Sequence, residues 1–237
     1  MAESKPTRVA FVTGVGPGLG ASLARRFAKE YAVAINARSA DSLRTVARQI
    51  RDAGGVVLEV PGDIGDRTQV EAAFRSIRER LGPPEVLIYN AGSGAFGNVT
   101  EITPEQFEQS WRVNAFGAFM CASLCAPGML ARGRGVMLFT GATAGVKAGA
   151  RSVAFGPAKF AMRGLAQSLA RDLGPKGIHV AWINVDGVID LPNRDLALKK
   201  DDMLRPDAVA ETYWHLAHQD PSAWTMELEV RPFKEKF

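Results

Sequence analysis

Short, almost wholly apolar blocks recur along this chain, each followed by a longer stretch with apolar residues every three or four positions. Strands covered on both faces read as continuous apolar runs, and helices lying on a sheet read as one-sided stripes. The pattern predicts strands at residues 8–13, 33–37, 56–60, 86–89, 136–139, 179–185 and 225–230. It predicts helices at 19–31, 41–53, 67–81, 152–173 and 205–219. A longer helix is expected over 103–132, with a kink at Pro127. Its start is marked by Thr103-Pro104-Glu105-Gln106: a capping hydroxyl, a proline at the first helical position and a glutamine three residues after the cap.

Repeated strand–helix units of this length imply right-handed crossovers and the α/β class. The expected architecture is one doubly wound parallel sheet with helices on both faces, built from residues 1–237 as a single domain. No linker, repeat or low-complexity stretch divides it. Residues 188–204 form the least regular segment and follow the sixth strand. They would lie over the carboxyl end of the sheet, where open α/β folds bind ligands, either as a substrate loop or as a plain connector.

Composition narrows the class further. With 46% hydrophobic and 23% charged residues, the chain has the make-up of a soluble globular protein. A net charge of +4 without a dense Lys/Arg run gives no nucleic-acid groove. No apolar stretch reads as long enough to span a bilayer, and Met1-Ala2-Glu3-Ser4-Lys5 is unlike a signal peptide. A cytoplasmic protein with a small-molecule substrate, and no nucleic-acid or membrane partner, is therefore expected. Cys121 and Cys125 lie one helical turn apart with no histidine beside them, and read as buried thiols. His215 and His218 read as ordinary helix residues.

The first candidate chemistry is the loop Thr13-Gly14-Val15-Gly16-Pro17-Gly18-Leu19-Gly20, set between a strand and a helix. Gly14 permits a tight turn, Gly18 lets backbone amides approach a diphosphate, and Gly20 lets the helix pack closely. The helix N-terminus after Leu19 offers unpaired N–H groups and a favourable dipole.

The T-G-x-x-x-G-x-G spacing resembles that of the short-chain dehydrogenase/reductase family, and the resemblance covers nearly the whole chain. Asp63-Ile64 resembles the family's adenine contact, Tyr89-Asn90-Ala91-Gly92 its Asn-Asn-Ala-Gly turn, Asn114 its helix-kinking asparagine and Lys159 its catalytic lysine. The resemblance implies a Rossmann-type oxidoreductase that assembles as a homodimer or homotetramer through the helices at 103–132 and 152–173. It implies that Thr13, Gly14, Gly18, Leu19 and Gly20 cradle the cofactor diphosphate. Asp63, Ile64, Asn90, Ala91 and Gly92 would line its adenosine side, and Lys159 would hold the nicotinamide ribose near Gly187.

Ala37 stands where an aspartate would bind both ribose hydroxyls, and Arg38-Ser39 follow. A guanidinium there can fork onto a 2′-phosphate, so NADP(H) is expected over NAD(H).

Two departures rewrite the proton-handling half. Phe155 occupies the place of the family's catalytic tyrosine, and Ala142, thirteen residues earlier, that of its serine. Phenylalanine transfers no proton. The remaining candidates are Lys159, Thr143, Asp186 in Val185-Asp186-Gly187, Tyr89 and a water held by Asn114. Lys159 lies one turn after Phe155, so an apolar neighbour would lower its pKa. Two readings stay open. One is an NADP(H)-linked oxidoreductase acting on a small apolar carbonyl, alcohol or enone with a non-standard proton donor. The other is an inactive NADP(H)-binding or sensing protein.

Overall fold

The computed structural model describes residues 8–191 and 198–235. The described residues build a seven-stranded sheet in the order β3-β2-β1-β4-β5-β6-β7, every pairing parallel. The strands are β1 (Val9–Val12), β2 (Ala32–Ile35), β3 (Val57–Glu59), β4 (Val86–Tyr89), β5 (Gly135–Thr140), β6 (Ile178–Val185) and β7 (Glu227–Val230). The helices between them are α1 (Leu19–Phe27), α2 (Ala40–Asp52), α3 (Arg67–Arg80), α4 (Pro104–Trp111), α5 (Gly117–Arg132), α6 (Phe155–Leu173) and α7 (Pro206–Ala217). The chain switches direction across the sheet between β1 and β4, which opens a crevice at their carboxyl ends.

Alternate side chains of each strand serve opposite layers, which is why the runs are apolar throughout. Phe11 packs against Phe74 of α3, and both belong to one cluster with Met129 of α5 and Met162 of α6. Its neighbours Ala10 and Val12 belong to a second cluster with Phe27 of α1, Ile50 of α2 and Tyr213 of α7. Each such large side chain contributes about 1.5–3 kcal/mol by leaving water.

The long helix expected at 103–132 is interrupted. Its capping box forms as read, with Thr103 Oγ1 accepting from Gln106 N and Gln106 Oε1 accepting from Thr103 N. At Arg112–Phe116 the chain then takes a π-helical turn. Asn114 Nδ2 donates to the Ser110 carbonyl at 2.8 Å, four residues back, and competes there with the helical ladder. Pro127 lies within α5, so the break in regularity falls at Asn114 and not at the proline.

The 104–132 run also corrects the reading that no stretch could span a bilayer. Taken as one helix, Pro104–Arg132 is long and apolar enough by length and composition. In the structure 56% of its most apolar window is buried inside the chain, while Phe107, Trp111 and Phe119 stay half-exposed. Elsewhere the corrections are small. The helix expected from 152 begins at Phe155, because Ser152 is held in a bridge to Gly97.

Candidate active site

The glycine loop is locked onto the β4 turn by geometry that only glycine allows. Gly14 has φ +68°, and a Cβ there would lie 2.6 Å from Ala91 Cα. A Cβ at Gly20 would lie 2.3 Å from the Gly14 carbonyl oxygen. Thr13 is fully buried, and its Oγ1 accepts from the amides of Asn90 and Ala91 at 3.1 and 3.2 Å. Asn90 Nδ2 donates to the Gly14 carbonyl at 3.0 Å, while its Oδ1 accepts from Thr140 Oγ1, which accepts from Tyr213. Thr13 and Asn90, expected as cofactor contacts, thus spend these groups on holding two loops together.

At the adenosine end, a cavity of about 340 Å³ is lined by Gly16, Ala37, Arg38, Ser39, Asp63, Ile64 and Gly92, among others. Arg38 is exposed at its rim and pairs with no carboxylate among the described residues. Ser39 caps α2, its side chain accepting from Ser42 N. Asp63 Oδ1 accepts from Gly65 N at 2.8 Å and shapes the floor. Over the start of α1, a Cβ at Gly18 would meet Leu191 Cδ2 at 2.3 Å. The first end of the 188–204 segment, through Leu191 and Ile189, therefore lies over the loop; residues 192–197 lie outside the described residues.

The second half of the site lies where α6 and the π-helical turn approach Gly92. A point at the place of a Gly92 Cβ is 3.5 Å from Asn114 Oδ1 and 3.6 Å from Lys159 Nζ. Asn114 Nδ2 donates to the Ser93 and Ser110 carbonyls, which turns its Oδ1 inward. That oxygen is buried and has no hydrogen-bond partner among the described residues. Lys159 is 4% exposed and donates to the Thr140 carbonyl at 2.9 Å. Burial pushes its ammonium down to about 8. The Phe155 ring stands 5.5 Å from Nζ and supplies apolar cover at its side.

The other polar candidates are already engaged. Tyr89 is fully buried and donates to the Val113 carbonyl within the π-helical turn; burial raises its pKa well above that of a free tyrosine. It braces the helix and does not face the crevice, which corrects its place among the candidates. Thr143 donates to Asp186 Oδ1, and Asp186 Oδ2 accepts from Arg231 at 2.6 Å. Asp186, 6% exposed, is thus paired with an arginine just after β7 that also pairs with Glu229 and that sequence reasoning did not single out. Gly187 follows at φ +148°, with Pro232 packed against it. Cys121 and Cys125 are buried thiols whose pKa values burial raises.

A doubly wound sheet, a glycine loop opening α1, and a buried lysine and asparagine meeting at the crevice define a dinucleotide-dependent class of protein. The family model described as short chain dehydrogenase matches residues 8–194. The chain belongs to the short-chain dehydrogenase family. A short-chain dehydrogenase structure from Rhodopseudomonas palustris is 35% identical, with TM-score 0.84, covering 97% of this chain and 100% of that one. A metagenomic short-chain oxidoreductase solved with NADP is 27% identical, with TM-score 0.85, covering 98% of this chain and 100% of that one. Glycine betaine reductase ATRR of Emericella nidulans is 28% identical over an alignment of 239 positions that covers 96% of this chain. The chain spans only 19% of that relative's length.

Proposed function

We propose that the protein is an NADP(H)-dependent oxidoreductase that moves hydride to or from a small apolar carbonyl, alcohol or enone, using a proton source other than tyrosine. The observation that carries this reading is the convergence of Lys159 Nζ and Asn114 Oδ1 on Gly92, beside the Phe155 ring. When bound, the dinucleotide supplies or takes the hydride. Gly14, Gly18, Leu19 and Gly20 would hold its diphosphate at the start of α1, where Leu191 lies over Gly18. Asp63, Ile64, Ala91 and Gly92 line the adenosine side, Arg38 with Ser39 grips the 2′-phosphate, and Gly187 borders the nicotinamide end.

The residues present fit this cofactor. Gly16 has open space where a Cβ would be, and the cavity beside it is rimmed by an exposed guanidinium and no aspartate at 37. The metagenomic relative was solved with NADP. Arg38→Ala should weaken NADPH binding by about 10–100-fold, the scale of a charge-assisted pair, and leave NADH nearly unchanged. Titration calorimetry with both nucleotides checks this; equal losses for the two would remove Arg38 from the phosphate.

With Tyr89 and Asp186 engaged elsewhere, Lys159 is the proton source in this reading. In reduction, the Lys159 ammonium would give its proton to the substrate oxygen, and Asn114 Oδ1 would accept from and orient a water that returns a proton to Nζ. The direct trial mixes protein and NADPH with ketones, aldehydes and enones and follows nicotinamide absorbance. Consumption of NADPH by any of them supports turnover. Tight NADPH binding with none consumed favours the sensing reading, which Phe155 motivates. Restoring Phe155→Tyr and Ala142→Ser together should raise carbonyl reduction, by up to about 10²–10⁴-fold, the usual range of a positioned acid. No rise would show that the pocket around these two positions no longer presents a carbonyl to them.

The helices α4, α5 and α6 leave Phe107, Trp111, Phe119 and Phe160 between 43% and 51% exposed. In this reading these faces join copies of the chain into a homodimer or homotetramer.

A further inference from the structure

The loop that follows the Gly92 turn carries an exposed aromatic ring on a rigid mount. At one end, the Ser93 carbonyl accepts from Asn114 Nδ2 at 2.6 Å and from Ser110 Oγ at 3.1 Å. At the other end, Gly97 N donates to the Arg151 carbonyl at 2.9 Å, and Gly97 bridges Ser152. An Arg151–Glu101 ion pair at 2.9 Å ties the same corner again. Between these two anchors Phe96 is 64% exposed. One exposed ring by itself signals nothing; an exposed ring on a fixed mount that continues into a second apolar surface marks a candidate binding face.

The ring is not isolated. Its centroid lies 5.3 Å from that of Phe155, at an interplanar angle of 54°. Gly94 lies against both rings, and a Cβ there would come within 3.0 Å of each. Phe155 in turn reaches to 5.5 Å from Lys159 Nζ. The two rings therefore form an open corner whose inner wall ends at the lysine. A flat ring laid on that corner would have its face on one phenyl and its edge toward the other, the arrangement aromatic pairs prefer. An aliphatic group of equal bulk gains only the area term.

Resting on the oxidoreductase reading above, we infer that Phe96 and Phe155 form a substrate seat selective for planar aromatic groups, with the reacting carbonyl or carbinol next to the ring and directed at Lys159. Phe96 sets specificity and takes no part in proton transfer. The same loop ties the seat to the π-helical turn, since Asn114 holds Ser93 as well as facing Lys159.

The trial compares benzaldehyde with cyclohexanecarbaldehyde, aldehydes on six-membered rings of similar size that differ in planarity and in conjugation of the carbonyl, so KM and binding rather than kcat carry the comparison. In the presence of NADPH, the wild-type chain should show a KM for benzaldehyde lower by about tenfold, the scale of one favourable aromatic pair. Phe96→Leu should remove that preference through KM with kcat little changed, and Phe96→Trp should restore it. Saturation-transfer NMR of both aldehydes with the NADP⁺-loaded protein gives a readout without turnover. Aromatic-selective saturation that disappears in Phe96→Leu supports the seat even if no aldehyde is consumed, in which case the oxidoreductase reading alone fails. Equal handling of the two aldehydes overturns the seat. So does a shift of Phe96→Leu to a smaller species in sedimentation velocity, which would assign the ring to contact between copies.

Discussion

Replacing Gly14 by alanine should lower the melting temperature by about 10 °C, whereas the same change at Gly16 should leave it within about 2 °C. Two costs add at Gly14. Its φ of +68° is a left-handed conformation that charges an L side chain about 1–2 kcal/mol. The new methyl would also sit 2.6 Å from Ala91 Cα and 2.7 Å from Ala91 N, both backbone atoms. Backbone cannot rotate aside, so the β4 turn has to shift, at about 1–3 kcal/mol for such overpacking. A chain of this size loses about 2–4 °C per kcal/mol, which gives the expected drop. The turn that shifts carries Asn90, Ala91 and Gly92, and Gly92 faces both Asn114 and Lys159. Dinucleotide affinity should therefore fall with stability. At Gly16 the methyl meets no atom within 4 Å, so that variant is the internal control. Thermal denaturation of both proteins decides the matter. A Gly14→Ala protein that melts with wild type would show that the two loops are not locked.

The periodic elements were legible because burial imposes them locally. A strand covered on both faces has to be apolar at every position, as Val9–Val12 and Val86–Tyr89 are, and a cap such as Thr103 is written within four residues. What escaped the sequence depends on contacts between distant segments. The resemblance marked Asn114 as the residue that kinks its helix, but not the partners that do it: Nδ2 binds the Ser93 and Ser110 carbonyls, and Ser93 lies 21 residues away in the chain. Tyr89 looks like a candidate acid until its hydroxyl is found on the Val113 carbonyl, a choice set by how closely α5 crosses β4. Gly117 permits that crossing, since a Cβ there would lie 2.5 Å from Tyr89 Oη. Thr143 and Asp186 were read separately; that they pair, with Arg231 closing the carboxylate, follows from the parallel register of β5, β6 and β7. Phe96 gave no signal in sequence, because its meaning rests on the two anchors that fix its loop.

Lys159→Met should cost activity and yet stabilise the folded protein at neutral pH. The lysine is buried, and desolvation carries it from its ordinary 10.5 to about 8. Its folded pKa thus lies below its unfolded one. At pH 7 the folded lysine is charged, and that charge opposes folding. As pH rises through about 8, the folded form sheds its proton while the unfolded chain keeps one until about 10.5. The unfolded state binds more protons across this window, so stability of the wild-type chain increases with pH there. The full penalty is about 3 kcal/mol on the scale of 1.36 kcal/mol per pKa unit. Losing the bond to the Thr140 carbonyl returns about 1–2 kcal/mol of it. Lys159→Met should therefore be more stable than wild type by about 1–2 kcal/mol at pH 7, with the advantage gone near pH 10. Denaturant titration at the two pH values measures it. Reduction by the wild-type chain should fall as pH rises above about 8, where the ammonium loses its proton, and the methionine variant should lose that pH dependence along with about 10²–10⁴-fold in rate. A variant less stable than wild type at pH 7 would mean that Lys159 is held charged by an interaction worth more than its burial costs. A variant with wild-type turnover and an unchanged pH profile would remove the lysine from the proton path altogether.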